Sequence, residues 1–176
     1  GSAWYLALGD ERADALAQAG AELAATFGAI VLVTGPLWAY RAWGTFWTWD
    51  PRLTTTMLAL LIYVAYLVLR AFGGTGEAEK RFAAALGILG VADLPIIHYS
   101  VQRWSGQHPT VIGRGGGGLD PRMVPPLLLS FATFTVLAVV LVWVRARGEL
   151  LHRKQRSLED QAAELGLLDD SESSIT

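Results

Sequence analysis

The sequence predicts an all-α fold, a multi-pass transmembrane helical bundle with four spans, on three observations. The 176-residue chain is 52% hydrophobic and only 17% charged, too apolar for a soluble domain of its size. Four long apolar stretches recur along it. None of them alternates with the period of two that barrel strands require.

The first stretch contains LAATFGAIVLVTGPL and reaches span length if the Ala-rich segment before it continues the helix, giving an expected span of 16–38. The second, 54–72, has Arg70 as its one charge, and the third, 82–101, carries Asp93 followed by Pro95. The fourth, 125–144, has no charge at all. A hydrocarbon core needs about 20 apolar residues per helix, which these lengths meet. Between the spans lie an aromatic loop, 38–53, and a histidine-containing loop, 102–124, and residues 152–176 read as a polar, disordered tail. Residues 1–151 form the expected membrane domain.

Lys and Arg are divided unevenly between the two faces. The face holding both termini carries Arg12, Arg70, Lys80, Arg81, Arg145, Arg147, Arg153, Lys154 and Arg156, against Arg41, Arg52, Arg103, Arg114 and Arg122 opposite. The positive-inside rule puts the richer face, and both termini, in the cytoplasm. The aromatic loop and the histidine loop then share the outer face.

Absences bound the chemistry. There is no cysteine, which excludes disulfide frameworks and thiolate metal sites. A net charge of −2 with no basic stripe argues against nucleic acid as a partner. No basic n-region with a short apolar core opens the chain, so no cleavable signal peptide is expected. The run Gly115–Gly118 lacks a P-loop lysine and a flanking strand, and reads as a flexible connection rather than a phosphate cradle.

The aromatic loop holds WGTFWTWDPRLT, residues 43–54, with Trp38 just upstream. Tryptophan is enriched at membrane interfaces, and single residues such as Trp4, Trp104 and Trp143 need no other account. Four in twelve residues of one connection, with Gly44 beside them, either crowd an interface belt or offer a platform for a flat π ligand. Asp50-Pro51 has the signature of a helix start. Arg41 and Arg52 are either snorkelling interface residues or partners for an anionic group of a ligand. His108 is either a solvated loop residue or an axial ligand to haem iron. His98, near the outer end of the third span, is a satisfied helix-end residue or a second ligand. His152 falls in a basic run on the opposite face. Asp93 is an intramembrane carboxyl, and such groups face a bundle interior or water.

Trp43-Gly44, Trp47, Trp49-Asp50 and Arg52-Leu53-Thr54 resemble the WGxxWxWDxRLT signature of the WWD-motif haem-handling proteins of cytochrome c biogenesis. The ending Arg-Leu-Thr, the stretch LPIIHYSVQRWSGQHP and the later DPRM are similar to the CcmC (haem exporter protein C) branch, with likeness from about residue 10 to 151. The resemblance implies a six-helix fold of which this chain holds the last four spans, Trp4–Leu8 being the stub of the second. It implies haem b bound at the outer face of a bacterial inner membrane. Trp43, Trp47, Trp49 and Asp50 match the platform, and His108 matches the histidine before the last helix. No residue here matches the family's other axial histidine. Transfer of haem to the chaperone CcmE, and assembly with an ABC transporter built from CcmA, CcmB and CcmD, are implied in the same way. With no nucleophile or acid–base pair visible, the expectation is a carrier rather than an enzyme. The rivals are a haem lyase of the CcmF or CcsA type, and a plain membrane-anchoring subunit with no haem.

Overall fold

A computed structural model describes residues 1–74, 76–104, 108 and 119–165, with only the backbone at 101 and 102. Among these residues the chain is helical throughout, with no strand. A short α1 (Ser2–Leu8) leads into α2 (Glu11–Trp43), α3 (Pro51–Phe72) and α4 (Glu77–Trp104), and a 3₁₀ turn (Pro121–Met123) opens α5 (Val124–Glu164). Four of the helices are long and apolar enough to cross a membrane.

Each helix starts and stops for a local reason. Asp10 caps α2 by accepting from the Arg12 N–H at 2.9 Å, after Gly9 has taken the left-handed conformation (φ 65°) that closes α1. Asp50 and Asp120 do the same work ahead of Pro51 and Pro121. Helices α2 and α4 continue through Pro36 and Pro95.

Two elements run further than the hydropathy suggests. Helix α2 extends to Trp43, so Trp38, Arg41 and Trp43 stand on its last turns rather than in an irregular loop. Helix α5 continues to Glu164, so the first part of the expected tail is helix. Pairs one turn apart, Arg145–Glu149, Glu149–Arg153 and Gln155–Glu159, support it once apolar residues run out. The run 115–118 and residues 166–176 lie outside the described residues.

The helices pack in the order α4, α3, α2, α5, with α1 against α2 and α4. Buried positions are mainly small: Ala13, Ala15, Ala19, Ala21, Ala83 and Ala84, with Tyr5 and Tyr66. The large apolar residues point outward, among them Val33, Leu61, Phe131 and Val139. Helices in lipid gain nothing by hiding Leu from the solvent, and associate through close packing of small residues instead. Gly90 gives Tyr63 its place, since a Cβ there would lie 2.7 Å from the ring. Asp93 is buried, with neither carboxylate oxygen hydrogen-bonded among the described residues.

An ion-pair clamp joins the helices at the end of the bundle opposite the tryptophans. The Asp14 carboxylate meets Arg70 of α3 and Arg153 of α5, each at 2.8 Å. Glu11 meets Lys80 of α4 at 2.6 Å as well as Arg153, and Glu22 meets Arg145. At 33 residues, α2 is about 50 Å long, so Glu11 projects beyond the apolar stretch. The hydrogen bond from Lys80 holds its carboxyl below the ordinary 4.5; burial opposes this and Arg153 adds to it. A depressed carboxyl stabilises the fold in full above its ordinary value, and that contribution is lost as pH falls through the lower folded value. Acidification below 4.5 is therefore expected to lower the thermal midpoint of the detergent-solubilised chain. Glu11→Gln should flatten that acid limb, and an unchanged limb would show that another carboxylate sets it.

Candidate functional site: the aromatic end of α2 and α3

At the end remote from the clamp, the backbone turns between α2 and α3 in seven residues, Gly44 to Asp50. Gly44 ends α2 with φ 76°, its N–H reaching the Tyr40 carbonyl at 3.0 Å. A side chain at this φ would be strained. Asp50 then starts α3, its Oδ1 accepting from the N–H groups of Arg52 (2.9 Å) and Leu53 (3.4 Å). Thr54, Thr55 and Thr56 turn their hydroxyls back onto carbonyls of the preceding turn. The connection is thus held at both ends by backbone bonding, leaving its indoles free to present faces.

The indoles form two edge-to-face sets. Trp38 and Trp43 lie 5.1 Å apart at 83°, and Trp47 and Trp49 lie 5.7 Å apart at 86°. Tyr40 stacks on Phe46 at 4.2 Å, nearly parallel. Trp49 is 74% and Trp38 60% exposed, so this is an open aromatic surface.

His108 joins this surface across 58 residues of sequence. Its ring stands edge-to-face on Trp43 at 5.1 Å, and its Nδ1 lies 3.2 Å from Asp50 Oδ1. The Asp50 side chain is 2% exposed and that of His108 20%. The carboxylate can only accept, so in the neutral imidazole Nδ1 carries the proton and the Nε2 lone pair is left available. A carboxylate holding the far nitrogen of a histidine is the arrangement that orients metal-ligating imidazoles.

Of the residues singled out in the sequence, Trp38, Trp43, Asp50 and His108 are therefore brought into one contact chain. Trp47 and Trp49 make a second pair in the same short connection. Arg41 is exposed on the last turn of α2, and Arg52 is half-buried on the first turn of α3. Neither has a carboxylate within ion-pair distance among the described residues. His98 is not drawn in: it is exposed on α4, its ring against Tyr99 at 5.0 Å. Among the described residues no three His, Asp or Glu side chains converge to hold a bare metal ion. Tyr40, between Trp38 and Trp43, belongs to this surface too, and only its stack on Phe46 reveals it.

Fold and site together define a multi-pass helical membrane protein that displays a histidine-bearing aromatic surface at one end of its bundle. The sequence profile of the family described as heme exporter protein C matches residues 2–161, and the chain belongs to that family. It is 40% identical over 149 residues to the heme exporter protein C of Bradyrhizobium diazoefficiens, covering 84% of this chain and 57% of that protein. With the protein of the same description in Escherichia coli it shares 35% identity over 156 residues, 89% of this chain and 62% of the other. A putative cytochrome c biosynthesis ccmC-like mitochondrial protein of Arabidopsis thaliana is 34% identical over 143 residues, 81% of this chain and 54% of that protein. The chain thus spans less than two thirds of the length of each of these relatives.

Proposed function

We propose that this chain holds haem at the tryptophan-bearing end of the bundle and hands it on for c-type cytochrome maturation. The observation that carries this reading is the hydrogen bond between Asp50 and His108, which leaves His108 Nε2 as an axial donor beside an open aromatic surface. The faces of Trp43, Trp47 and Trp49, with Trp38 behind them and Gly44 leaving room, suit the plane of the macrocycle. Arg41 and Arg52 suit its propionates, since guanidinium groups grip carboxylates bidentately. Haem b is the cargo, moved and not transformed, so the chain acts as a carrier. An exposed platform favours transfer, because a receiving protein can reach the ligand without opening a cavity.

The charge bias supports an orientation with this surface on the outer face and both termini in the cytoplasm, and the family resemblance makes a bacterial inner membrane the proposed location. The chaperone CcmE is the proposed recipient, and an ABC transporter of CcmA, CcmB and CcmD the proposed assembly. The domain that does this is 1–151.

The test is titration of the detergent-purified chain with haemin, following the Soret band and tryptophan quenching together. Trp47→Leu with Trp49→Leu is expected to weaken binding by about tenfold or more, in line with ~1 kcal/mol per aromatic contact. Binding unchanged by that double substitution would remove the platform from the reading.

A further inference from the structure

A second concave surface lies at the clamp end of the bundle, on the outer flank of α2 and α5. It has a volume of about 590 Å³ and is lined by Trp4, Leu16, Val139, Val142 and Trp143, with Ala138 and Leu150 marking its two ends along α5. The apolar part of this lining on α5, Ala138 to Trp143, rises about 8 Å at 1.5 Å per residue, about half of the ~15 Å of one leaflet of a bilayer core, and Arg147 stands one turn beyond it. Two guanidinium groups, Arg12 and Arg147, also line it, and none of its described lining residues is acidic.

These two arginines differ from their neighbours. Arg70, Arg145 and Arg153 are each bonded to carboxylates. Arg12 and Arg147 have no carboxylate within ion-pair distance among the described residues. Arg147 instead lies over the Trp143 ring, 4.3 Å from its centroid. Stacking fixes the plane of a guanidinium while leaving its edge N–H groups free to donate. The surface therefore combines an apolar trough reaching about halfway into one leaflet, two tryptophans that favour headgroup level, and two cations with no carboxylate partner among the described residues.

We infer that this groove is a binding site for one anionic glycerophospholipid. An acyl chain lies along Leu16, Val139 and Val142, and the phosphate sits between Arg12 and Arg147. Charge complementarity selects the occupant: a zwitterionic lipid would bring a choline cation towards the two guanidiniums, whereas a second apolar helix would leave both without a counter-ion. Basic recesses between membrane helices are known to take acidic headgroups on these terms.

The experiment uses the full chain in mild detergent, with palmitoyl-oleoyl phosphatidylglycerol and the matching phosphatidylcholine as probes. Binding is read by native mass spectrometry and by the shift in thermal midpoint. Phosphatidylglycerol is expected to bind at one per chain and about tenfold or more tighter than phosphatidylcholine. The double variant Arg12→Gln/Arg147→Gln should abolish that preference while keeping its helical circular dichroism. Arg156→Gln, at an arginine outside the groove with no carboxylate within ion-pair distance among the described residues, should leave the preference intact. Millimolar glycerol 3-phosphate should fail to compete, which separates a lipid from a free phosphate ester. Equal affinity for the two lipids, a preference that survives the double variant, or competition by glycerol 3-phosphate would overturn the proposal. So would complete disulfide dimerisation of Val142→Cys in the presence of phosphatidylglycerol, since it would give the groove to a second copy of the chain.

Discussion

Replacing His108 by alanine is expected to weaken haemin binding by about a hundredfold or more, the loss typical when a metal site is disturbed beyond its own ligands being already 10–100-fold. The Soret band of the complex should shift to that of weakly ligated haem. The reason is geometric. Among the described residues the structure brings one imidazole to the aromatic surface, at 5.1 Å from Trp43, while His98 is exposed on α4 with its ring against Tyr99. Asp50→Asn separates ligation from positioning. An asparagine can still cap α3 through its carbonyl oxygen, but its neutral oxygen is a weaker partner for Nδ1–H and its amide can turn to donate instead. Asp50→Asn is therefore expected to keep helix content, to lower haem affinity less than His108→Ala does, and to raise the reduction potential of the bound iron because the imidazole becomes less basic. Wild-type affinity and potential in Asp50→Asn would mean that the carboxylate serves α3 alone. Retention of the wild-type Soret band in His108→Ala would move the axial ligand elsewhere in the chain.

The sequence makes some of this legible and hides the rest for physical reasons. Apolar stretches of span length and the Asp50-Pro51 cap depend on neighbours a few residues away, so they can be read locally, and the family signature lies within one short run. The contact between Asp50 and His108 depends on how the start of α3 and residue 108 are brought together across 58 residues of sequence, and nothing local to either residue encodes it. Counting charges by face put the two loops on one side, which made the pairing available without specifying it. Helices α2 and α5 run past their apolar stretches because hydropathy marks where lipid ends, whereas a helix ends where its backbone finds a cap. Between Leu37 and Trp43 there is none, and Gly44 is the first residue able to take a positive φ. The clamp was hidden for the same reason as the site. Asp14 and Arg70 stand 56 residues apart, and each looks alone like an ordinary interface charge.

That clamp sets the second large effect. Asp14→Ala is expected to destabilise the bundle by about 3–5 kcal/mol, the usual result of removing one partner from a buried ion pair. The Asp14 side chain is 2% exposed and that of Arg70 11%, and Arg70 Nε and Nη1 already have no hydrogen-bond partner among the described residues. Losing the carboxylate would leave the Arg70 charge without its counter-ion and with the Gln18 amide oxygen, at 3.2 Å, as a neutral acceptor, while Arg153 loses one of its acceptors beside it. Because the penalty is that of a stranded charge and not of a missing attraction, Asp14→Ala/Arg70→Leu should recover a large part of it. The comparison is made by denaturant titration of both variants in the same detergent, following helical circular dichroism. A loss under about 1 kcal/mol in Asp14→Ala, the range of an exposed pair, would mean that solvent or lipid phosphate replaces the carboxylate. The consequence for function follows from the length of α2, which carries Asp14 near one end and Trp38 and Trp43 at the other. Helix α5 is tied to α2 through Arg145 and Arg153, whereas the aromatic surface is built on α2, α3 and His108. Asp14→Ala should therefore loosen α5 and lower the thermal midpoint sharply, while haemin affinity measured well below that midpoint changes little.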